Sequence, residues 1–271
     1  MSEIEVTFKG HYGSDLEHVN AARVSYGRES DWDFVDYGGG TVNVLKEKDK
    51  RLLQFLARGM TTDDWEKFVE EISSFGWDLQ EHWGKIDKEN FVARLWQWRD
   101  TPEHRSPFNH SFLSFHVRAP LFVARQLVKH EYLLWNEKSG RYIEFDEDSF
   151  WKPKEFRSKV RDKKQGSGES IEGVGESVLR DLFRFNSDDT FASYKAALDF
   201  GLCEEQARAL LPLNLMTEWR WSGTFGAFAK MLRLRLAPDA QKETREVAKQ
   251  IGEIIKPLFP VSYECLVERK F

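Results

Sequence analysis

RQLVKHEYLLWNEKSGR, residues 125–141, crowds Arg125, Lys129, His130, Glu131, Asn136, Glu137, Lys138, Ser139 and Arg141 into one short stretch. A purely structural surface helix keeps such groups on one solvated face. Here apolar residues interleave with the charges. Pro120 stands where a helix can begin, and LFVARQLVKHEYLLW after it reads as that helix. SGRY at 139–142 then leaves it through Gly140. Two readings stay open on pattern alone. One is a surface helix with i,i+4 pairs such as Glu137 with Arg141. The other is a binding segment, with the Ser139 hydroxyl, the Gly140 backbone and the Arg141 fork turned to a phosphate or a pyrimidine edge.

Working outward, SFLSFHVR at 111–118 alternates as a strand does, and so do residues 4–8. Residues 15–23 read as a short helix that Asp15 caps. The polar, glycine-rich stretch 28–43 reads as loop. Leu52, Leu53, Phe55 and Leu56 give 46–58 a helical period, and 60–100 reads as helical from Thr61 or Thr62. Residues 152–172 are basic, then rich in glycine and serine, and read as a mobile loop or equally as a lid over a site. Residues 175–211 read as two helices broken near NSDD, the second ended by Pro212. Residues 224–236 and 239–256 read as two more, separated by Pro238, with Pro257 and Pro260 closing the last. Neither an internal repeat nor a clean domain boundary emerges.

Composition narrows the class. Forty-one per cent apolar residues support a core, and the 31% charged residues suit a soluble protein. No apolar run approaches the roughly 20 residues that span a bilayer, and the acidic N-terminus does not read as a signal peptide. The net charge of −5 brings no basic excess, which argues against a polymeric nucleic acid partner. Cys203 and Cys265 are too few and too far apart for a disulfide framework or a zinc site, so a cytoplasmic setting is expected. Cys203 reads as a buried, inert thiol. His110 and His116 fall on one face of the predicted strand, but no cysteine or acidic motif completes a metal site. The 10 Trp and 21 Phe fit either a bulky core or interface, or stacking platforms for flat rings.

Lys129-His130-Glu131, Leu134, Asn136-Glu137, Ser139 and Arg141 resemble the signature of the flavin-dependent thymidylate synthases. That signature is Arg-His-Arg, two residues, Ser, one residue, Asn-Glu, one residue, Ser, one residue, Arg. His130, Asn136, Glu137, Ser139 and Arg141 match it, whereas Lys129, Glu131 and Leu134 depart. The flanks are similar too: AARVSY at 21–26, SPFNHSFLSFHVRAPLFVARQ at 106–126, KKQGSG at 163–168, EEQARALLPLNLMTEW at 204–219 and LRLRLAPDAQKETRE at 232–246. The weakly matched parts are about 28–45 and 60–104.

The resemblance implies an α+β fold, a mixed sheet packed with long helices. It implies a single domain over 1–271 carrying an insertion in the helical region at about 60–104, and a homotetramer. It further implies C5 methylation of dUMP, with methylenetetrahydrofolate giving the carbon and FAD reduced by NADPH. Carried over residue by residue, Gln126, Lys129, Glu137, Ser139, Gly140, Arg141, Arg208 and Arg235 would hold the nucleotide. Arg235 would also polarise the pyrimidine ring. Ser25, His110, Lys129, His130, Glu131, Glu137 and Lys230 would face the flavin. The plain alternative for Arg208 and Arg235 is helix-surface salt bridging, for instance Arg208 with Glu204 or Glu205. Lysine at 129 keeps a charge but loses the bidentate fork, and Glu131 reverses the sign. These departures motivate two rivals: a methylase or hydroxymethylase of the same fold acting on dCMP, and a non-catalytic nucleotide-binding protein.

Overall fold

The structure, a computed structural model, describes residues 3–36, 38–58, 62–74, 89, 93, 104–160 and 167–268. Most of 60–104, where the helical, insertion-bearing region is expected, and residues 163–166 of the KKQGSG loop lie outside them. The chain forms two compact units. The first is Met1–Gly10, Leu113–Gly223 and Leu234–Ile254; the second is His11–Phe112, Thr224–Arg233 and Ile255–Phe271.

The strands are β1 (Glu5–Tyr12), β2 (Asp33–Asp36), β3 (Thr41–Val44), β4 (Phe112–Pro120), β5 (Leu133–Glu137) and β6 (Met216–Thr224). The helices are α1 (Asp15–Arg23), α2 (Glu47–Arg58), α3 (Thr62–Ser74), α4 (Leu121–Leu127), α5 (Val174–Asp199), α6 (Glu204–Ala207), α7 (Phe225–Arg235), α8 (Lys242–Leu258) and α9 (Pro260–Tyr263). The content is α+β, as expected, with one four-stranded sheet in the order β1-β4-β6-β5. Period-two alternation sets its faces. Leu113, Phe115, Val117 and Ala119 of β4 are buried, as are Trp219 and Trp221 of β6. Ser114, His116 and Arg118 take the opposite, half-exposed face. Val247, Ala248, Ile251 and Ile255 give α8 its buried stripe at helical spacing.

Several expectations are corrected. The helix after Pro120 stops at Leu127, and Leu133–Glu137 is a strand antiparallel to β6. A left-handed residue, Tyr132 at φ 64°, ends the turn between them. The strand wins because Trp135 lies opposite Trp221 and stacks on Trp219 at 4.4 Å, a cross-strand aromatic contact that a helix could not make. Gly223 permits the pairing, since a Cβ there would sit 2.5 Å from the Leu133 side chain. SGRY therefore leaves a strand, not a helix. Within 28–43, β2 and β3 pair as a hairpin, Asp36 opposite Thr41; residues 28–32 and Gly38–Gly40 are loop, as expected. The NSDD segment does not break α5. Ser187 and Thr190 donate back to the carbonyls of Phe183 and Asn186, at 2.9 and 2.7 Å, which satisfies their hydroxyls without ending the helix.

The base of the 152–172 segment is tied rather than loose. Ser158 N–H donates to the Glu169 carbonyl at 2.9 Å, and Ile171 N–H to that of Phe156 at 2.7 Å. Pro257 lies inside α8 and Pro260 opens α9. Asp15 does not cap its own helix. Its buried carboxylate accepts from the backbone N–H groups of Val261 and Ser262 at 2.8 and 3.0 Å, and so caps α9. Cys203 is exposed; Cys265 is the buried thiol, its pKa pushed up to about 12 by burial. Among the described residues no helix is long and apolar enough to cross a membrane.

Candidate functional site

In the first unit the chain brings Gln126, His130 and Arg235 together. Gln126 lies in the last turn of α4, His130 in the turn that follows it, and Arg235 is the last residue of α7. Arg235 Nε donates to His130 Nε2 at 2.9 Å, and Arg235 Nη2 donates to the Gln126 carbonyl at 3.2 Å. Because arginine can only donate, His130 carries no proton on Nε2 in this contact, so the ring is held as the Nδ1–H tautomer. Burial lowers the pKa of the half-buried Arg235 guanidinium below the ordinary arginine value. The Gln126 side chain is held as well: Oε1 accepts from Thr244 Oγ1 at 3.1 Å, and Nε2 donates to Gln241 Oε1.

A second group surrounds Gly140. A Cβ there would lie 2.7 Å from Phe145 Cε2 and 3.5 Å from Arg208 Cδ, so the glycine lets its backbone lie against both side chains. Arg208 is exposed, and its Nε donates to the Glu205 carbonyl at 3.2 Å; among the described residues no ion pair joins it to a Glu204 or Glu205 carboxylate. Ser139 Oγ accepts from Arg141 Nε at 3.3 Å, and the Arg141 guanidinium stands 5.0 Å from the Tyr142 ring. Glu137 does not pair with Arg141. Its carboxylate accepts from Thr217 Oγ1 at 2.8 Å and from Trp135 Nε1 at 3.0 Å. Lys129 and Glu131 are exposed in the turn before β5, and Leu134 is exposed on it.

The remaining expected residues belong to the second unit. Ser25 is exposed on a short 3-10 turn, Val24–Tyr26. His110 follows another, Pro107–Asn109, so it precedes β4 and does not share a strand face with His116. Lys230 is exposed on α7, beside Arg105 and Arg233 at a shallow hollow over Phe108.

Sequence reasoning missed two arrangements. On the outer face of the sheet, Glu218 accepts from His116 at 3.0 Å and lies within 4 Å of Arg118 and Lys138. Alternation in β4 and β6 could have placed these residues on one face, but not their register. The other is the link from Gln126 to Gln241 and Thr244, for which residue type gave no signal. The aromatic surplus resolves toward core in this unit: Trp219 and Trp221 are fully buried, whereas Trp135 is half-buried above them.

The family model described as thymidylate synthase complementing protein matches residues 9–261. The chain belongs to this family. Over 165 residues, 61% of the chain, it is 39% identical to the flavin-dependent thymidylate synthase of Thermus thermophilus. That stretch spans 60% of the relative's length. A flavin-dependent thymidylate synthase of Pseudothermotoga lettingae is 25% identical over 261 residues, covering 96% of this chain and 89% of the relative. Among solved structures, the UMP/dUMP methylase PolB of Streptomyces cacaoi bound with 5-Br dUMP superposes with a TM-score of 0.68 and 26% identity. The match covers 97% of this chain and 94% of that one.

Proposed function

We propose that this chain, as a homotetramer, methylates dUMP at C5, taking the carbon from methylenetetrahydrofolate and using FAD reduced by NADPH. The observation that carries the reading is the contact of Arg235 with both His130 and the Gln126 backbone, across 109 residues of chain. Three residues that the family resemblance assigns to nucleotide and flavin thereby act as one buried-edge polar group. Family membership and the likeness to a UMP/dUMP methylase support it.

The donor set suits a nucleotide monophosphate. Such a phosphate is close to a dianion, and the exposed forks of Arg141 and Arg208 can neutralise it through paired hydrogen bonds. Gly140 supplies the close backbone approach between them that a side chain would fill. Arg235, held on two sides, would meet negative charge developing on the ring without having to reorient first. In the first unit Lys129 and His130 offer an ammonium and an imidazole, and in the second unit Ser25, His110 and Lys230 offer a hydroxyl, an imidazole and an ammonium, group types that suit a flavin's pyrophosphate; Glu131 and Glu137 are opposing charges. When bound, FAD supplies the hydride that reduces the pyrimidine intermediate. The protein groups position rings and neutralise charge.

Glu131 favours a second reading, the same chemistry on dCMP, because an exposed carboxylate can accept from an exocyclic amino group that dUMP lacks. Incubation with FAD, NADPH and methylenetetrahydrofolate, with dUMP, UMP and dCMP in parallel, separates the readings by product mass. A methyl gain on dUMP is expected. A gain on dCMP alone would move the substrate assignment to the second reading. Nucleotide binding with no product, by a protein that stays colourless with added FAD, would leave only a nucleotide-binding homologue.

A further inference from the structure

We infer that Gln241 and Glu243 are positioning residues that fix the direction of the Gln126 side-chain amide. The inference rests on the reading above in one respect, that Gln126 touches the nucleotide.

A glutamine amide presents its oxygen and nitrogen in either of two orders, and nothing in the residue itself selects one. Here the order is forced from the far end of a chain of hydrogen bonds. Arg157 is donor-only, and its Nη2 pairs with Glu243 Oε1. The Glu243 carboxylate is acceptor-only, so the group it meets at Oε2 must donate; that group is Gln241 Nε2, at 3.0 Å. With its nitrogen turned to Glu243, Gln241 turns its oxygen to Gln126. Gln126 must then answer with Nε2, which leaves Oε1 toward Thr244, whose hydroxyl donates at 3.1 Å. Each step allows one orientation only.

Burial gives this polarity its force. The Thr244 side chain is fully buried, and the Arg157 and Glu243 side chains are only 20% and 12% exposed. Water therefore competes poorly for these bonds, and a reversed amide would set like groups against each other. The chain's own bonds use one N–H and one oxygen lone pair of Gln126. The other N–H and the other lone pair are left in a fixed order, as a substrate edge with its own donor and acceptor order requires. The same glutamine ties the amide to the arginine, because its backbone carbonyl holds Arg235. Gln241 immediately precedes α8 and Glu243 and Thr244 lie in its first turn, so one helix start orients the amide from the side.

The test is nucleotide affinity, read by quenching of intrinsic tryptophan fluorescence with dUMP and with UMP; it needs neither flavin nor turnover. Gln241→Met keeps side-chain volume and should weaken dUMP binding about tenfold, the scale of one oriented hydrogen bond. Glu243→Gln, which removes the acceptor-only group, should weaken it about threefold on the same scale. In a Gln126→Ala background, Gln241→Met should change affinity by less than about twofold, because a residue acting through Gln126 has nothing left to act on. Wild-type affinity in Gln241→Met, or a loss that simply multiplies with that of Gln126→Ala, overturns the inference while wild-type binding upholds the nucleotide reading. Failure of the wild-type protein to bind any pyrimidine nucleotide overturns both. Should Gln241→Met melt early, Glu243→Gln decides alone, with wild-type affinity counting against.

Discussion

Acidification should destabilise the second unit through one residue, His18. Its ring is fully buried, stacked on Phe259 at 5.3 Å and flanked by Phe108 and Phe225. Nδ1 bonds Ser262 Oγ and Nε2 bonds Ser111 Oγ, both at 2.8 Å. Burial, then the charge of neighbouring His110, lowers its pKa from 6.5 to about 3. The folded protein thus keeps His18 neutral where the unfolded chain takes up a proton. Its stabilising effect is whole above the unfolded pKa of 6.5 and is lost as pH falls toward 3. Between about pH 7 and pH 5 the linkage removes about 2 kcal/mol, a large share of a typical domain's stability. Urea unfolding followed by tryptophan fluorescence across that range measures it. His18→Gln, neutral throughout and still able to bond a serine, should be less stable at neutral pH but should lose about 2 kcal/mol less on acidification. Parallel pH profiles for wild type and His18→Gln would refute the assignment, because every other titrating group is common to both.

Three other outcomes are expected. Gly140→Ala places a Cβ 2.7 Å from Phe145 Cε2; thermal melting should show a loss of about 1–3 kcal/mol, and titration should show weakened nucleotide binding. Asp15→Ala leaves the N–H groups of Val261 and Ser262 without their acceptor and should cost about 2 kcal/mol in urea unfolding, with Asp15→Asn, which keeps one acceptor, costing less. Glu131→Arg should tighten FAD binding about tenfold by removing a repulsive charge and adding a fork; unchanged or weaker quenching of flavin fluorescence would count against a flavin contact there.

The sequence made the fold class and most element positions legible because β1, β4 and the α8 stripe are set by alternation and helical period. It misled at β5. LLWNE carries strand-forming side chains, but the preceding HEY gives no turn signal: the left-handed residue is Tyr132, not a glycine or asparagine. The decisive interaction is with Trp219 and Trp221, more than 80 residues downstream, and local pattern cannot report it. The same limit applies to Asp15, whose partners are the N–H groups of Val261 and Ser262. Residue type announced a helix cap and was right about the chemistry, though the helix capped is α9. At NSDD the error ran the other way. Turn-forming side chains were read as a break, yet the hydroxyls of Ser187 and of the adjoining Thr190 bond carbonyls of their own helix.

Site residues divide along a physical line. Within the first unit, several positions that keep the family pattern are tied down: His130 by Arg235, Glu137 by Thr217 and Trp135, Gly140 by the ring and arginine against it. Replacing any of them breaks a bond or fills a space in the folded protein, so identity there is constrained twice, by fold and by ligand. The departures Lys129, Glu131 and Leu134 are all exposed. Substitution at exposed positions usually changes stability little, so what the residue meets outside the fold weighs more heavily there. A charge reversal at Glu131 then speaks about what the exposed turn meets. That is why the flavin titration of Glu131→Arg, with a thermal melt beside it to report on the fold, and the parallel trial of dUMP, UMP and dCMP bear on function directly.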